Sequence, residues 1–250
     1  MNYYANTDIG KKRSSNQDSF CARKLGERAL LCAVFDGMGG HAGGETASRI
    51  ACEVFAEIVS SATLPKLDAD GKISMNKTQI FNIMEKAAHS ANTAVLEKAK
   101  SSPELSGMGT TLAAALINGD ICYAVNIGDS RIYKICNGAI EQVSHDHSYV
   151  QYLVDMGEIT PEEAKTNINK SIITRAVGTQ ESVECDTFVF NAEGSAVLIC
   201  SDGLSNLIED SELCSVITEK KDPQEAVDTL ILTANERGGT DNITATLVRV

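Results

Sequence analysis

The sequence predicts an α+β layered domain, two packed antiparallel sheets covered by helices on their outer faces. Two observations carry that expectation. Apolar stripes with a helical period are confined to the first third and last quarter of the chain, and strand-length apolar runs lie between and around them. A third observation sets the strand direction: the central runs are joined by links of three residues, whereas a βαβ crossover needs a dozen or more.

Residues 29–35 form a short apolar run of the length of a buried strand. Ala47, Ile50, Ala51, Val54, Phe55, Ile58 and Val59 then recur at i, i+3, i+4 spacing and make one face of a helix. After a polar connection at 65–77, a second helix carries Ile80, Ile83, Met84, Ala87, Ala91, Ala94 and Val95 on one face. Runs at 111–117, 121–127 and 131–136 read as three neighbouring strands of a meander, with turns at Asn118-Gly119-Asp120 and Gly128-Asp129-Ser130. Thr160-Pro161-Glu162-Glu163 opens a short helix with a capping box and proline at its first position. Strands return at 183–190 and 196–200. Asp222-Pro223-Gln224-Glu225 reads as a second capping box, opening a helix with Ala226, Val227, Leu230, Ile231 and Ala234 inward, and 243–250 closes the chain as a strand.

At 250 residues with 43% apolar content, and with no internal repeat or Pro/Gly/Ser-rich linker, one domain spanning 1–250 is expected. The N-terminus has neither a basic nor an apolar leader region, and no run approaches the roughly 20 apolar residues of a membrane span. A cytoplasmic protein without membrane insertion is therefore expected. The 8 cysteines are scattered without a Cys-x-x-Cys pair, and Cys32, Cys122 and Cys200 sit in apolar runs. They read as buried free thiols, which points away from a zinc site. A net charge of −12 argues against nucleic acid as a partner, since that needs a basic footprint. The charge reflects either plain solubility or carboxylates that converge on cations, and bulk charge does not choose between them.

Positions are more informative. Two apolar strands end alike, in Phe35-Asp36-Gly37 and in Cys200-Ser201-Asp202-Gly203. A carboxylate at the mouth of a buried strand is rigidly held, and the glycine beside it lets a cation reach the backbone carbonyl. Either alone reads as an ordinary Asp-Gly turn. A third aspartate, in Gly239-Thr240-Asp241-Asn242, stands where a loop enters the last strand. Such a set suits Mg²⁺ or Mn²⁺. Gly37-Met38-Gly39-Gly40-His41-Ala42 also matches a dinucleotide fingerprint. Asp36 would face the pyrophosphate, however, and 61–77 is polar where the next strand should lie, so that reading is set aside. Arg13, in a polar loop, is either solvated or a planar fork for phosphate oxygens.

Together these residues resemble the protein phosphatase 2C (PP2C, PPM) family of metal-dependent protein serine/threonine phosphatases, in its compact bacterial form. The resemblance runs from Tyr4 to Val250. It is carried in order by Arg13 with Asn16-Gln17-Asp18, Asp36-Gly37-Met38-Gly39-Gly40-His41, Gly107-Met108-Gly109-Thr110-Thr111, Gly128-Asp129-Ser130-Arg131, Ser201-Asp202-Gly203-Leu204 and Gly239-Thr240-Asp241-Asn242. It implies a four-layer α/β/β/α sandwich flanked by helix pairs, with a metal cleft at one end and a flap subdomain at about 144–178 beside it. It further implies that Asp36 bridges two Mn²⁺ or Mg²⁺ ions and that the Gly37 carbonyl binds the first. Asp202 and Asp241 would bind the second, and Asp129 would share a weaker third ion with Asp202. Arg13 would bind phosphate, and Asp18 would be an outer-shell carboxylate. The implied reaction is direct attack on a phosphoserine or phosphothreonine by a metal-bridging water or hydroxide. Implied partners are phosphorylated proteins, including a membrane-anchored Ser/Thr kinase whose signalling the enzyme reverses. A monomer is expected. Met38 stands where eukaryotic members carry a histidine, which leaves the proton donor to the leaving oxygen open. His41, His145 and His147 match no family role. His89 is expected to pack or cap in its helix. A silent phosphoprotein-binding module would lack the aspartates that this chain has, while a small-molecule phosphoesterase stays open.

Overall fold

The computed structural model describes residues 1–40 and 43–250. His41 lies outside the described residues. Among the described residues, eleven strands and seven α-helices follow in order: β1 (Asn2–Asp8), β2 (Asp18–Gly26), β3 (Ala29–Met38), α1 (Gly43–Thr63), α2 (Lys77–Ser101), β4 (Gly109–Thr110), β5 (Leu112–Asn118), β6 (Ile121–Ile127), β7 (Arg131–Cys136), β8 (Ala139–Gln142), α3 (Tyr149–Asp155), α4 (Pro161–Thr166), β9 (Asp186–Asn191), β10 (Ala196–Cys200), α5 (Asp202–Ser205), α6 (Asp210–Glu219), α7 (Pro223–Glu236) and β11 (Ile243–Arg249). One sheet has the order β1-β11-β10-β7-β8; the other runs β2-β3-β5-β6-β9, with β4 paired to β3. The strand pairs are antiparallel.

Period-2 alternation builds the layers. On β3, Ala29, Leu31, Ala33 and Phe35 pack under α1 and α2, while Leu30, Cys32 and Val34 face the opposite sheet. On β10, Leu198 and Cys200 face α6 and α7, and Val197 and Ile199 face inward between the sheets. Three apolar layers result, one between the sheets and one under each helix pair. The expected two-sheet sandwich with helices outside is therefore the observed architecture.

The helical stripes are where the spacing puts them. Ala47, Ala51, Phe55 and Val59 of α1 and Ile80, Met84, Ala87, Ala91 and Val95 of α2 are fully buried. Asn76 and Gln79 close a capping box at α2, and Thr160 and Glu163 close one at α4. Asp222 caps α7 through the Gln224 amide, and not through the reciprocal bond with Glu225 expected for a box. His89 neither packs nor caps; its side chain is exposed on α2. Among the described residues no helix is long and apolar enough to cross a membrane.

One expectation is overturned. The runs at 111–117, 121–127 and 131–136 do not form a three-stranded meander. β5 and β6 pair, but β7 leaves for the other sheet, where it lies between β10 and β8. Gly128, at φ 105°, allows the change of direction, and the chain there is packed so close to Thr111 that a Cβ would stand 2.6 Å from its methyl. The link carrying Asp129 thus crosses from sheet to sheet at one end of the sandwich. β7 finds its hairpin partner in β8, across a tight turn in which Asn137 and Gly138 both take positive φ.

Candidate metal centre

The same alternation that builds the core also assembles the site. Asp36 continues the inward-facing series of Leu30, Cys32 and Val34, so its carboxylate emerges where the inter-sheet layer ends. Asp18 is its cross-strand partner on β2. From the other sheet, Asp202 follows β10 and Asp241 precedes β11. Asp129, on the link between sheets, comes in from the third side. All five aspartates singled out by sequence lie at this one end of the sandwich.

Backbone contacts fix the arrangement. The Asp36 amide donates to Thr111 Oγ1 (2.9 Å), and its carbonyl accepts from the Thr111 amide (2.9 Å) and from Thr110 Oγ1 (2.9 Å). Thr111 and Ser130 share a hydroxyl bond of 2.7 Å, which ties the Asp36 strand to the Asp129 link. Gly37 has no room for a side chain: a Cβ would lie 2.2 Å from the Gly44 carbonyl oxygen and 2.4 Å from that of Gln17. At Gly203 a Cβ would lie 2.0 Å from the Asn242 carbonyl oxygen, so the turns bearing Asp202 and Asp241 touch through backbone alone. The Asn242 side chain accepts from the Gln17 amide (2.8 Å) and donates to the Ile9 and Ser15 carbonyls (2.9 and 3.0 Å), holding the loop that presents Arg13. Ser130 and Asn242 were visible in the sequence only as neighbours of Asp129 and Asp241, and Thr110 and Thr111 only as part of the Gly107–Thr111 motif. Their role is to clamp backbone, which the motifs themselves do not announce.

Asp18 links the two sheets. Its Oδ2 accepts from Ser201 (2.9 Å) and from Thr244 (2.6 Å), both on the opposite sheet. Thr244 in turn meets Thr7 at 2.7 Å. The other oxygen, Oδ1, is buried without a partner. Burial raises the Asp18 carboxyl to about 7, against the pull of its two hydroxyl donors. Burial also holds Asp36 well above the usual carboxylate range, reinforced by the charges of Asp18, Asp202, Asp129 and Asp241. Asp129 and Asp202 are raised in the same way, first by burial and then by neighbouring aspartates.

Such convergence of acidic groups calls for a cation. Among the described residues no group of three His, Cys, Asp or Glu side chains encloses an ion by itself. The donor set still fits hard divalent ions, which bind through one or two carboxylates each and keep several waters. It consists of converging carboxylates, with the unpartnered Asp18 oxygen behind them. A cationic side chain already sits in the site: Arg13 donates to Asp241 at 2.6 Å, and Asp202 and Asp36 add to its field. Its guanidinium is half exposed, so the planar fork is accessible from outside.

A cleft of about 400 Å³ opens from Asp129 and Asp202 between α3 and α4 on one wall and α5 and the start of α6 on the other. Lys165 of α4 reaches Glu209 across it at 2.6 Å. Arg131, beside Asp129, grips Asp146 through both Nε and Nη2 (2.9 and 2.7 Å to Oδ2).

His147 belongs to this frame. Its Nδ1 accepts from the Gly128 amide at 3.1 Å, and its own amide donates to the Gly128 carbonyl at 2.9 Å. With Nδ1 accepting, the neutral ring carries its proton on Nε2, which faces Asp186 at 3.2 Å. His145 instead pairs with Asp155 at 2.8 Å near the surface. Burial pulls the His147 pKa below its ordinary value; Asp186 opposes the shift, while Arg175 and His145 add to it. A histidine with a depressed folded pKa stabilises the fold only above its unfolded value of about 6.5. Acidification must protonate it against the Gly128 donor. The urea midpoint is therefore expected to fall from pH 7 to pH 5.5 more steeply in the unaltered protein than in His147→Gln, and parallel curves would sink this assignment.

Residues 9–247 match the family model for protein phosphatase 2C. The chain is 35% identical over 243 residues to a serine/threonine phosphatase, stp, of Listeria innocua, covering 97% of this chain and 93% of that one. Among solved structures, the Mycobacterium tuberculosis serine/threonine phosphatase PstP/Ppp superposes with a TM-score of 0.86 at 34% identity, over 99% of this chain and 97% of that one. A catalytic domain of PstP in complex with two manganese ions gives a TM-score of 0.82 at 34% identity, over 98% and 96% of the two chains.

Proposed function

This chain belongs to the protein phosphatase 2C family and is a metal-dependent protein serine/threonine phosphatase, and from that premise we propose that Asp36, the Gly37 carbonyl, Asp202 and Asp241 hold two Mn²⁺ or Mg²⁺ ions in its centre. The observation that carries the reading is the meeting of the Asp36, Asp202 and Asp241 turns at one end of the sandwich, where burial and neighbouring aspartates destabilise Asp36 and Asp202 as free anions. Bound there, the ions supply Lewis acidity, lowering the pKa of water and neutralising phosphoryl oxygens. The side chains do the rest. Asp36 would be a ligand to the ions, and Asp18 would orient water from behind through its unpartnered oxygen. Arg13 exchanges Asp241 for two phosphoryl oxygens and stabilises the charge that builds on them during in-line displacement. No side chain serves as nucleophile. Cys200, two residues from Asp202, faces α6 and α7, and burial pushes its thiol to about 12.

Asp129 lies beside Asp202 at the mouth of the cleft, which supports a third, weaker ion shared by the two. It also supports a proton source for the leaving oxygen on that side, in place of the histidine for which Met38 stands. Residues 1–250 act as one catalytic domain, and 144–178, which forms one wall of the cleft, acts as a flap that governs access. The natural substrates include a membrane-anchored Ser/Thr kinase and its targets, met in the cytoplasm by a monomeric enzyme. Loss of the gene should raise phosphothreonine on that kinase, and unchanged phosphorylation would remove it from the list.

The deciding assay is hydrolysis of a phosphothreonine peptide after EDTA stripping and Mn²⁺ titration. Activity should return with Mn²⁺. Asp129→Ala should slow alkyl phosphoesters more than aryl ones, because an alkoxide needs a proton to depart; equal loss on both would discard the proton-source role. Activity on small phosphate esters alone, with none on the peptide, would transfer the reading to a small-molecule phosphoesterase.

A further inference from the structure

We propose that Cys21 and Cys52 are a peroxide-sensitive thiol pair that closes to a reversible disulfide on the flank of the molecule, outside the metal centre. The placement follows from the seam between β2 and α1. Ser19 Oγ meets Ser48 Oγ at 3.0 Å, and further along the same seam Arg23 Nη1 lies 3.6 Å from Glu57 Oε2. Cys21 is two residues beyond Ser19 on the strand, an advance of about 6.6 Å. Cys52 is four residues beyond Ser48 on the helix, an advance of about 6 Å. The two cysteines therefore occupy the rung between a serine pair and an ion pair, and both belong to the apolar layer between β2, β3 and α1. Both line an open surface cleft of about 500 Å³ together with Arg23 and Arg49, so an oxidant reaches them from solvent.

The two sulfurs differ in environment. The neighbouring Cys21 lowers the Cys52 pKa and Arg23 assists, against burial and Glu53. The neighbouring Cys52 and burial raise Cys21. Cys52, the more exposed, is thus the attacking thiolate and Cys21 the resolving thiol. In the first step the Cys52 thiolate attacks a hydroperoxide oxygen; an S–O bond forms, the O–O bond breaks, and hydroxide or alkoxide departs. Sulfur is oxidised to sulfenic acid and the peroxide is reduced. In the second, the Cys21 sulfur attacks the Cys52 sulfur; the S–S bond forms, the S–O bond breaks, and water leaves with the thiol proton. Cys32 and Cys122 take no part, because they are fully buried in the layer between the sheets.

The test does not depend on phosphatase activity. The full-length, Mn²⁺-loaded protein is treated with hydrogen peroxide, blocked with iodoacetamide and digested without reductant for mass mapping. The expected product is a peptide pair joined through Cys21 and Cys52, lost after dithiothreitol and absent from Cys52→Ser. In Cys21→Ser the Cys52 sulfenic acid has no resolving thiol and is trapped by dimedone. Recovery of Cys52 as a free thiol after peroxide, its linkage to a different cysteine, or its conversion to sulfinic acid with Cys21 still reduced would each overturn the proposal.

Discussion

Asp36→Asn is expected to abolish phosphatase activity while making the metal-free protein more stable. Asparagine keeps the size of the side chain and leaves the backbone bonds to Thr110 and Thr111 in place. What it removes is one negative charge from a site where Asp18, Asp129, Asp202 and Asp241 also converge. Without metal that charge is a liability of burial and repulsion. With metal, on the proposed ligand set, it would be a ligand on which the ions depend. Losing several kcal/mol of charge stabilisation in the transition state corresponds to a fall in kcat on the order of 10³-fold or more. In EDTA the variant should melt above the unaltered protein, and relief of about 1 kcal/mol would appear as roughly 2–4 °C. In Mn²⁺ the order should reverse, because only a protein that binds the ion gains from it by mass action. Retained activity, or a metal-free variant less stable than its parent, would remove Asp36 from the centre of the scheme.

Much of this centre was legible because it is built from strand ends. A buried strand announces itself as an apolar run, and its end is marked by the first charge, so Asp36 and Asp202 could be found without a structure. The helices were legible for a similar reason, since Ala47, Ala51, Phe55 and Val59 repeat with the period of the surface they cover. Pairing was not. A three-residue link such as 128–130 can close a hairpin or carry the chain to another sheet, and only the packing of Gly128 on Thr111 decides in favour of the second. β1 was missed because it is a half-exposed edge strand of mixed residues whose partner, β11, lies at the other end of the chain. Long-range side-chain meetings were hidden altogether. Asp18 and His147 stand out in the sequence only singly, and they become a clamp with Thr244 and a brace on Gly128 only when folding brings them together.

Gly203→Ala should weaken metal binding and the fold together, although the substitution adds a single methyl. A Cβ at 203 would stand 2.0 Å from the Asn242 carbonyl oxygen and 3.4 Å from the Asp241 Cβ. The obstacle is backbone at the mouth of β11, which cannot rotate away as a long side chain can. Relief requires the 202–203 and 241–242 turns to separate, and that displacement acts directly on Asp202 and Asp241. It also disturbs Asn242, whose side chain holds Ile9, Ser15 and Gln17 and so positions the Arg13 loop. Overpacking of this kind costs about 1–3 kcal/mol. Displacing metal-site residues in this way should raise the Mn²⁺ concentration for half-maximal activity by roughly 10–100-fold, the scale seen when the supports of metal ligands are lost. Gly40→Ala is the natural comparison, since a Cβ there meets nothing within 4 Å among the described residues, and it should leave both quantities unchanged. If Gly203→Ala bound Mn²⁺ as tightly as its parent, the close approach of the two turns would be a packing detail without consequence for the ion, and Asp202 and Asp241 would not be acting as a pair.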